Sequence, residues 1–265
     1  GFGGGFRRTE LISIDYEDLA FVNEGVKIAM WSGPRNISTA MMYSFDNRED
    51  CHATDEPLYA NFLMSTGTDH PGAKEVIANH ETDLESVISQ LLGPIPGGKE
   101  IWYQKHMCHH VMVDSDISCI GALTNCFLIR HPREVLLSLS RITDSVDLMS
   151  TGLPQQIRIV EYLIEELGLE PPILDSNEIL EAPGELLGKL CDSVGINFDE
   201  NMLSWSPGPR TCDGAWAKHW YEAVWASSGF SPPSPREGEL KPGLSEVLEE
   251  AMPLYLKLRD IRIRP

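Results

Sequence analysis

The stretch of residues 31–41, WSGPRNISTAM, limits the choice of fold more than any other part of this 265-residue chain. It follows residues 26–31, VKIAMW, a short apolar run that is typical of a buried strand. It leads into residues 38–45, which are good helix formers, with Ser38 or Asn36 as the candidate N-cap. A buried strand, a tight turn and a helix in this order predict the opening of an α/β nucleotide-binding fold.

Further apolar runs at residues 101–107, 125–130 and 172–175 predict three more strands. Helical spacing predicts helices at residues 74–92, 132–142, 155–167, 185–194 and 244–258. Strands that alternate with helices indicate a parallel sheet with helices on both faces. We therefore predict an α/β protein with an N-terminal arm at residues 1–25 and a single domain at residues 26–265.

The chain is strongly acidic, with a formal net charge of −19. A surface of that sign repels DNA, RNA and anionic lipid, so we expect neither a nucleic acid nor a membrane as partner. An anionic ligand must then meet a locally positive pocket. No apolar run approaches the roughly 18 residues that span a bilayer, and we expect a cytoplasmic protein. The six cysteines form no CxxC pair, which favours a reducing compartment and no zinc site.

The turn after the first strand has the features of an anion site. The first turn of a helix leaves N–H groups unpaired, and the helix dipole adds partial positive charge there. Gly33 allows a tight turn, Arg35 supplies charge, and Ser38 and Thr39 supply hydroxyl donors. The second glycine and the lysine of a Walker A loop are absent. The alternative interpretation is an ordinary strand-to-helix turn with a capping serine.

A second segment, residues 126–138, reads CFLIRHPREVLLS and places Arg130 at the end of a predicted strand and Ser138 in the following helix. An arginine fork together with a hydroxyl group can bind a second phosphate. Taken alone, the two residues are more typical of a surface arginine and an ordinary helix serine. Together with the first turn, they indicate a nucleotide that carries two separate phosphate groups.

The two segments together resemble the nucleotide site of sulfotransferases, which use 3′-phosphoadenosine 5′-phosphosulfate (PAPS) as the sulfuryl donor. The resemblance implies a P-loop-type parallel sheet flanked by helices. It also implies that the 3′-phosphate is held by Arg130 and Ser138. The implied contacts of the 5′-phosphosulfate are Gly33, Pro34, Arg35, Asn36, Ile37, Ser38 and Thr39.

More narrowly, residues from about 26 to 258 are similar to sulfotransferase-like proteins that carry the label "branched-chain aminotransferase-like". The matching pieces are WSGPRNISTAMMYSF, DEPLYANFL, IRHPREVLLS and GPRTCDGAWAKHWYEAV. Common sulfotransferases have a lysine in the first loop, where this chain has Arg35. Their C-terminal phosphate loop is also absent, and we predict that Arg210, Gly214 and Trp216 take its place. Trp216 can stack on adenine, although aromatic residues in such a run more often belong to the core.

The segment QKHMCHH, residues 104–110, contains the candidate catalytic residues. Lys105 and His106 match the lysine and histidine that the family places at the end of this strand. The resemblance implies that the lysine stabilises the leaving oxygen and the histidine takes the acceptor's proton. Adjacent strand residues point to opposite faces, which leaves His109 or His110 as the alternative base. Clustered histidines can also bind a metal, but no carboxylate spacing matches, and we predict no metal site.

Asp55, Glu56 and Tyr59, in the segment DEPLY, are the predicted acceptor contacts. The two carboxylates can bind an amine, act as the base, or simply cap the next helix. We predict sulfuryl transfer to a small molecule through a hydroxyl or amine group. The alternatives are a catalytically inactive nucleotide-binding domain and an ATP-dependent small-molecule kinase, which would need a loop lysine and a Mg²⁺-binding carboxylate.

Overall fold

Five parallel strands form one sheet in the computed structural model of the chain, which describes residues 25–143, 145–233 and 238–265. The strands are β1 (Val26–Ser32), β2 (Cys51–Asp55), β3 (Ile101–Met107), β4 (Thr124–Ile129) and β5 (Ile173–Asp175). Their order across the sheet is β2-β3-β1-β4-β5, with β1 at the centre. The predicted α/β fold with a parallel sheet is confirmed. Except for Gly25, the predicted N-terminal arm lies outside the described residues.

Helices cover both faces of the sheet, and the alternation along β1 shows how the two layers divide. Ile28 and Met30 pack into one apolar core, whereas Ala29 and Trp31 pack into the other. Successive side chains of a strand point to opposite faces, so a central strand covered on both sides must be apolar throughout. This requirement explains why β1 is a continuous apolar run in the sequence.

Eleven helices are present in the described part of the chain. They are α1 (Ser38–Asp46), α2 (Tyr59–Thr66), α3 (Ala73–Asn79), α4 (Leu84–Leu92), α5 (Pro132–Leu139), α6 (Leu153–Glu161), α7 (Ser176–Glu181), α8 (Pro183–Ser193), α9 (Ala217–Trp220), α10 (Glu222–Trp225) and α11 (Leu244–Asp260). No helix among these residues has the length and apolar content needed to cross a membrane.

The structure differs from the predicted elements at several places, among them the unpredicted short helices α2, α9 and α10. The helix predicted at residues 74–92 is two helices, because His80 is extended and Asp83 caps α4 by accepting a hydrogen bond from the Ser86 N–H. Strand β2 was not predicted as an apolar run, since this edge strand is buried only at alternate positions. Helix α6 ends before residue 167 because the chain continues as a π-helical turn over Tyr162–Glu166.

The carboxyl ends of the strands bring four loops to one edge of the sheet. The loops after β1, β2, β3 and β4 begin at Gly33, Glu56, Cys108 and Arg130. In open parallel sheets, ligands bind beyond the carboxyl ends of the strands. The segments singled out in the sequence therefore converge on one region of the molecule.

Candidate functional site

The loop between β1 and α1 has an unusual backbone. Arg35 and Ile37 have φ angles of 64° and 55°, a region that residues other than glycine rarely adopt. Gly33 is required because of a close backbone contact and not because of a tight turn. A Cβ atom at this position would lie 2.2 Å from the Thr151 carbonyl oxygen. The loop is thus held in a strained shape, as is common for loops that bind ligands.

The N-terminus of α1 lacks a side-chain cap, contrary to the prediction that Ser38 or Asn36 supplies one. Ile37 occupies the N-cap position without a side-chain hydrogen bond. The Asn36 amide instead donates to the Leu128 carbonyl at 3.2 Å and ties the loop to β4. Helix α1 therefore leaves its first-turn N–H groups free of a capping side chain, and they can meet a ligand anion.

Two arginines meet beside this helix terminus. Arg130 donates from Nη1 to the Arg35 carbonyl at 2.9 Å, and Arg35 donates from Nε to the Ser138 hydroxyl at 2.8 Å. Burial, followed by the charge of Arg130, lowers the pKa of Arg35. Glu134 accepts hydrogen bonds from Arg130 Nε and Nη2, which leaves the charge of Arg35 without a carboxylate partner among the described residues. Two adjacent cations with one counter-ion favour an additional anion.

A large open cavity of about 1660 Å³ begins at this pair of arginines. At one end it is lined by the loop and by Arg130. At the other end it is lined by Glu56, Tyr59, Lys105, His109, His110 and Trp216, all predicted as site residues. The structure therefore brings the predicted phosphate contacts and most of the predicted acceptor and catalytic residues into one space.

Lys105 lies in a buried cluster with both predicted acceptor carboxylates. Its Nζ is 2.9 Å from Asp55 Oδ1 and 2.5 Å from Glu56 Oε1, and it also donates to the Tyr221 hydroxyl at 2.6 Å. Burial alone would lower the pKa of Lys105, but the two carboxylates outweigh it and raise that pKa. All three ammonium N–H groups are used, so Lys105 must release one of these partners before it can contact a leaving oxygen.

Two of the predicted nucleotide contacts support this cluster instead. The Gly214 N–H donates to Asp55 Oδ2 at 3.1 Å, and the Trp216 indole donates to the Tyr221 hydroxyl at 3.2 Å. A Cβ at Gly214 would lie 2.2 Å from the Trp216 ring, which explains the glycine. Trp216 is 2% exposed and packs in the core, although it lines the cavity, so little of its ring is open for stacking on adenine.

Arg210 lies away from the loop between β1 and α1, contrary to its predicted role in binding the nucleotide. Its Nη1 is 2.6 Å from Asp46 Oδ2, at the C-terminal end of α1, and its guanidinium covers the Tyr43 ring. Because the loop between β1 and α1 lies at the N-terminal end of α1, a helix of nine residues separates Arg210 from it. A carboxylate and a helix C-terminus both stabilise a cation there.

The three clustered histidines separate into two groups. His106 points away from Lys105, as strand alternation requires, and stacks on Trp31 with ring centroids 4.3 Å apart. It lines a second, smaller apolar cavity rather than the large one. His109 and His110 both line the large cavity, and His110 also stacks on Tyr59 with centroids 4.8 Å apart. The structure therefore favours His109 or His110 over His106 as a residue that reaches substrate.

Burial keeps all three histidines neutral. It lowers the pKa of His106 to about 3, and burial together with His70 and Lys105 lowers the pKa of His109 to about 4. The pKa of His110 is also well below its usual value, first because of burial. Their Nδ1 atoms have no hydrogen-bond partner among the described residues. Each ring therefore has an unused nitrogen that can accept or donate a hydrogen bond, depending on the tautomer.

His106 should make the protein sensitive to acid. Its folded-state pKa, about 3, lies below the ordinary value for histidine, so the unfolded chain binds more protons below pH 6.5. The free energy of unfolding should therefore fall by about 2 kcal/mol between pH 6.5 and pH 5 from this residue alone. Denaturant titrations should show a shallower pH dependence for His106→Phe, which keeps a ring against Trp31. An unchanged pH dependence would contradict the assignment.

Several residues at the site were not found from the sequence. Glu134 holds Arg130, and its other oxygen accepts a hydrogen bond from the Asn177 amide at 2.8 Å. The Ser176 hydroxyl donates to the Asn36 carbonyl at 3.0 Å and so fixes the loop from a third strand end. The four-residue spacing between Arg130 and Glu134 is a usable signal for a helical ion pair. Among the described residues, no group of His, Cys, Asp and Glu side chains is arranged to hold a metal ion.

Comparison with known proteins adds the family relationship. A model of the sulfotransferase domain family matches residues 26–261. Branched-chain-amino-acid aminotransferase-like proteins 2 and 1 of Arabidopsis thaliana are 36% and 34% identical to the chain. Each alignment covers 88% of this chain but 41% of the relative, so the chain spans less than half the length of these curated relatives. A sulfotransferase structure from Alicyclobacillus acidocaldarius shares the fold, with a TM-score of 0.50, 13% identity, and coverage of 90% of this chain and 97% of that one.

Proposed function

We propose, since the chain belongs to the sulfotransferase domain family, that it transfers a sulfuryl group from PAPS to a small-molecule acceptor. The observation that carries this proposal is the convergence of an uncapped helix N-terminus with Arg35 and Arg130 at one open cavity. A helix terminus and an arginine pair are two distinct places for phosphate groups. PAPS carries two such groups and supplies the sulfuryl group when it is bound.

The residues divide between the two ends of the nucleotide. The loop from Gly33 to Thr39 presents backbone N–H groups and the Arg35 guanidinium to the 5′-phosphosulfate. Arg130 binds the 3′-phosphate, and the buried Ser138 hydroxyl orients Arg35 by accepting its Nε hydrogen bond. Glu134 holds the Arg130 fork in place. This division follows the roles that the resemblance implies for the loop and for Arg130; Ser138, which the resemblance places on the 3′-phosphate, contacts Arg35 instead.

His109 is the proposed base, and Glu56 and Tyr59 contact the acceptor, with Asp55 behind them. His109 is only half-buried, whereas His110 is packed between the Tyr59 and Phe62 rings. Nδ1 of His109 is fully buried, whereas Nε2 is accessible, has no hydrogen-bond partner among the described residues, and can receive the acceptor's proton. Its low pKa keeps the ring neutral in the free protein, and a bound polyanion nearby would raise that pKa and strengthen the base.

Binding measurements distinguish this function from its rivals. In buffer with excess EDTA, calorimetry should show adenosine 3′,5′-bisphosphate binding at least ~30-fold tighter than AMP, because only the former fills the Arg130 site. Equal affinities would contradict the proposal. ATP binding that depends on Mg²⁺, without a preference for the 3′-phosphate, would support a kinase. Tight binding without turnover on any acceptor would support an inactive nucleotide-binding domain.

A further inference from the structure

The buried cluster around Lys105 contains one more carboxylate than it needs for neutrality. Asp55, Glu56 and Lys105 carry two negative charges and one positive charge when all are ionised, and the Lys105 and Asp55 side chains are each 1% exposed. A single carboxylate would neutralise a buried lysine, whereas a second buried carboxylate is costly unless a further cation joins it. When all three groups are ionised, the cluster therefore carries a net negative charge, which can attract a further cation.

Glu56 is the carboxylate of the cluster that reaches the cavity. It lines the cavity, with 12% of its side chain exposed, and Asp55 lies behind it against the Tyr221 hydroxyl and the Gly214 N–H. The Glu56 backbone has a φ angle of 37°, an unfavourable value for a non-glycine residue. The chain thus directs a carboxylate toward the cavity at a cost in backbone strain.

Aromatic rings stand beside this carboxylate. Tyr59 and His110 are stacked with centroids 4.8 Å apart, and Phe62 stacks on the other side of His110, also at 4.8 Å. Both faces of the His110 ring are covered, so the aromatic group left to attract a cation is Tyr59. His110 is 3% exposed and lines the cavity; its Nδ1 is fully buried, whereas its Nε2 is accessible and has no hydrogen-bond partner among the described residues, so Nε2 can accept a hydrogen bond from a ligand N–H.

We propose that the acceptor molecule carries an ammonium group, which binds between the Glu56 carboxylate and the rings of Tyr59 and His110. Positive charge in the cavity lining comes from Arg35, Arg130 and Arg141, which suits the anionic donor. Lys105, the cation bonded to Glu56, already uses its three N–H groups on Asp55, Glu56 and the Tyr221 hydroxyl. An ammonium group is thus attracted here, and an anionic acceptor is not.

The pKa of Glu56 agrees with this assignment. Burial raises it first, Asp55 raises it further, and Lys105 only partly compensates. A bound cation would favour the ionised carboxylate and return this pKa toward its usual value. Because the site is taken as the acceptor site, the assignment rests on the proposed sulfotransferase function and narrows its acceptor from any hydroxyl or amine compound to a cationic one.

Matched ligands test the preference for a cation directly. The chain is saturated with adenosine 3′,5′-bisphosphate, and calorimetry compares tyramine, 4-ethylphenol and 3-(4-hydroxyphenyl)propionate, which differ in charge beside one phenol ring. A second series compares 4-aminobutan-1-ol, pentan-1-ol and 4-hydroxybutyrate. Within each series the ammonium compound should bind ~10- to 100-fold tighter than the neutral one, and the carboxylate weakest. If neither ammonium compound binds tighter than its neutral partner, the proposal is overturned.

Variants show whether Glu56 is responsible. Glu56→Gln should bring the ammonium-to-neutral affinity ratio close to one, whereas Asp69→Asn, which removes an exposed carboxylate lining the same cavity, should leave the ratio unchanged. Tyr59→Leu removes a ring but keeps the carboxylate, and should lower the ratio partly. An unchanged ratio in Glu56→Gln, or in Tyr59→Leu if the former does not fold, overturns the assignment. Nucleotide affinity is measured first without acceptor, so loss of the 3′-phosphate preference is recognised separately as failure of the proposed function.

Discussion

Arg130→Ala is expected to abolish most of the preference for adenosine 3′,5′-bisphosphate over AMP. Arg130 is buried and faces the cavity, and in the variant the 3′-phosphate would lose its charged partner without gaining solvent. A lost charge-assisted hydrogen bond to a buried anion costs ~2–4 kcal/mol, which corresponds to a ~30- to 1,000-fold loss of affinity. Titration calorimetry with both nucleotides measures the effect as a ratio of dissociation constants.

The ratio of the two dissociation constants separates recognition of the 3′-phosphate by Arg130 from its support of the loop between β1 and α1. Arg130 also donates a hydrogen bond to the Arg35 carbonyl, so the alanine variant will loosen the phosphate loop to some extent. A looser loop should weaken the binding of both nucleotides by a similar factor, so this effect cancels in the ratio of their dissociation constants. Arg130→Lys keeps the charge but loses the fork that Glu134 holds, and we expect an intermediate ratio.

Arg133→Ala is the matched control for this variant. Arg133 lies three residues further along the same segment, in α5, and donates to the Gly238 carbonyl instead of facing the cavity. Its removal should leave both dissociation constants within about twofold of their wild-type values, since surface substitutions away from a site usually have small effects. If Arg130→Ala keeps the wild-type ratio, the 3′-phosphate does not bind at Arg130.

Local patterns were sufficient to predict the fold and the strand-turn-helix segment that begins with β1. The apolar run of β1, the turn with Gly33, and the Arg130–Pro132 pair each lie within a short stretch of chain, where strand and helix patterns can be read directly. Strand alternation also predicts that Lys105 and His106 point to opposite faces of the sheet, and the structure confirms this.

Contacts between distant segments could not be predicted in this way. The hydroxyl of Tyr221 joins Lys105 and Asp55 across separations of 116 and 166 residues, and no periodicity links such positions. The predicted role of Arg210 in binding the nucleotide is wrong for the same reason: its partner, Asp46, lies 164 residues earlier in the sequence. The predicted cap at α1 failed because Asn36 hydrogen-bonds to β4, a choice that depends on tertiary structure.

His109→Ala is expected to keep nucleotide affinity and to lose roughly 10²–10⁴ in turnover rate, the usual scale for removing a general base. The ring lines the cavity and contacts Phe62 and His110, not the loop between β1 and α1. Its loss should therefore leave the dissociation constant of adenosine 3′,5′-bisphosphate unchanged. Steady-state assays with saturating PAPS and a cationic acceptor measure the rate, and calorimetry measures the affinity.

His52→Ala provides a control of the same residue type. His52 is half-buried and its pKa is also lowered by burial, but it lies on β2 outside the cavity. It should retain near-normal turnover, as should His106→Phe, since His106 faces the other side of the sheet. Lys105→Ala should lose rate together with stability, because it leaves Asp55 and Glu56 buried without their cation.

Turnover of His110→Ala, compared with that of His109→Ala, shows whether His109, His110 or neither ring is the base. If His110→Ala loses the rate while His109→Ala does not, the base is the ring stacked on Tyr59, and the acceptor must approach deeper in the cavity. If both variants retain turnover, neither imidazole takes the proton. Glu56 would then be the leading base, because it faces the cavity and burial raises its pKa toward the range in which a carboxylate can accept a proton near neutral pH.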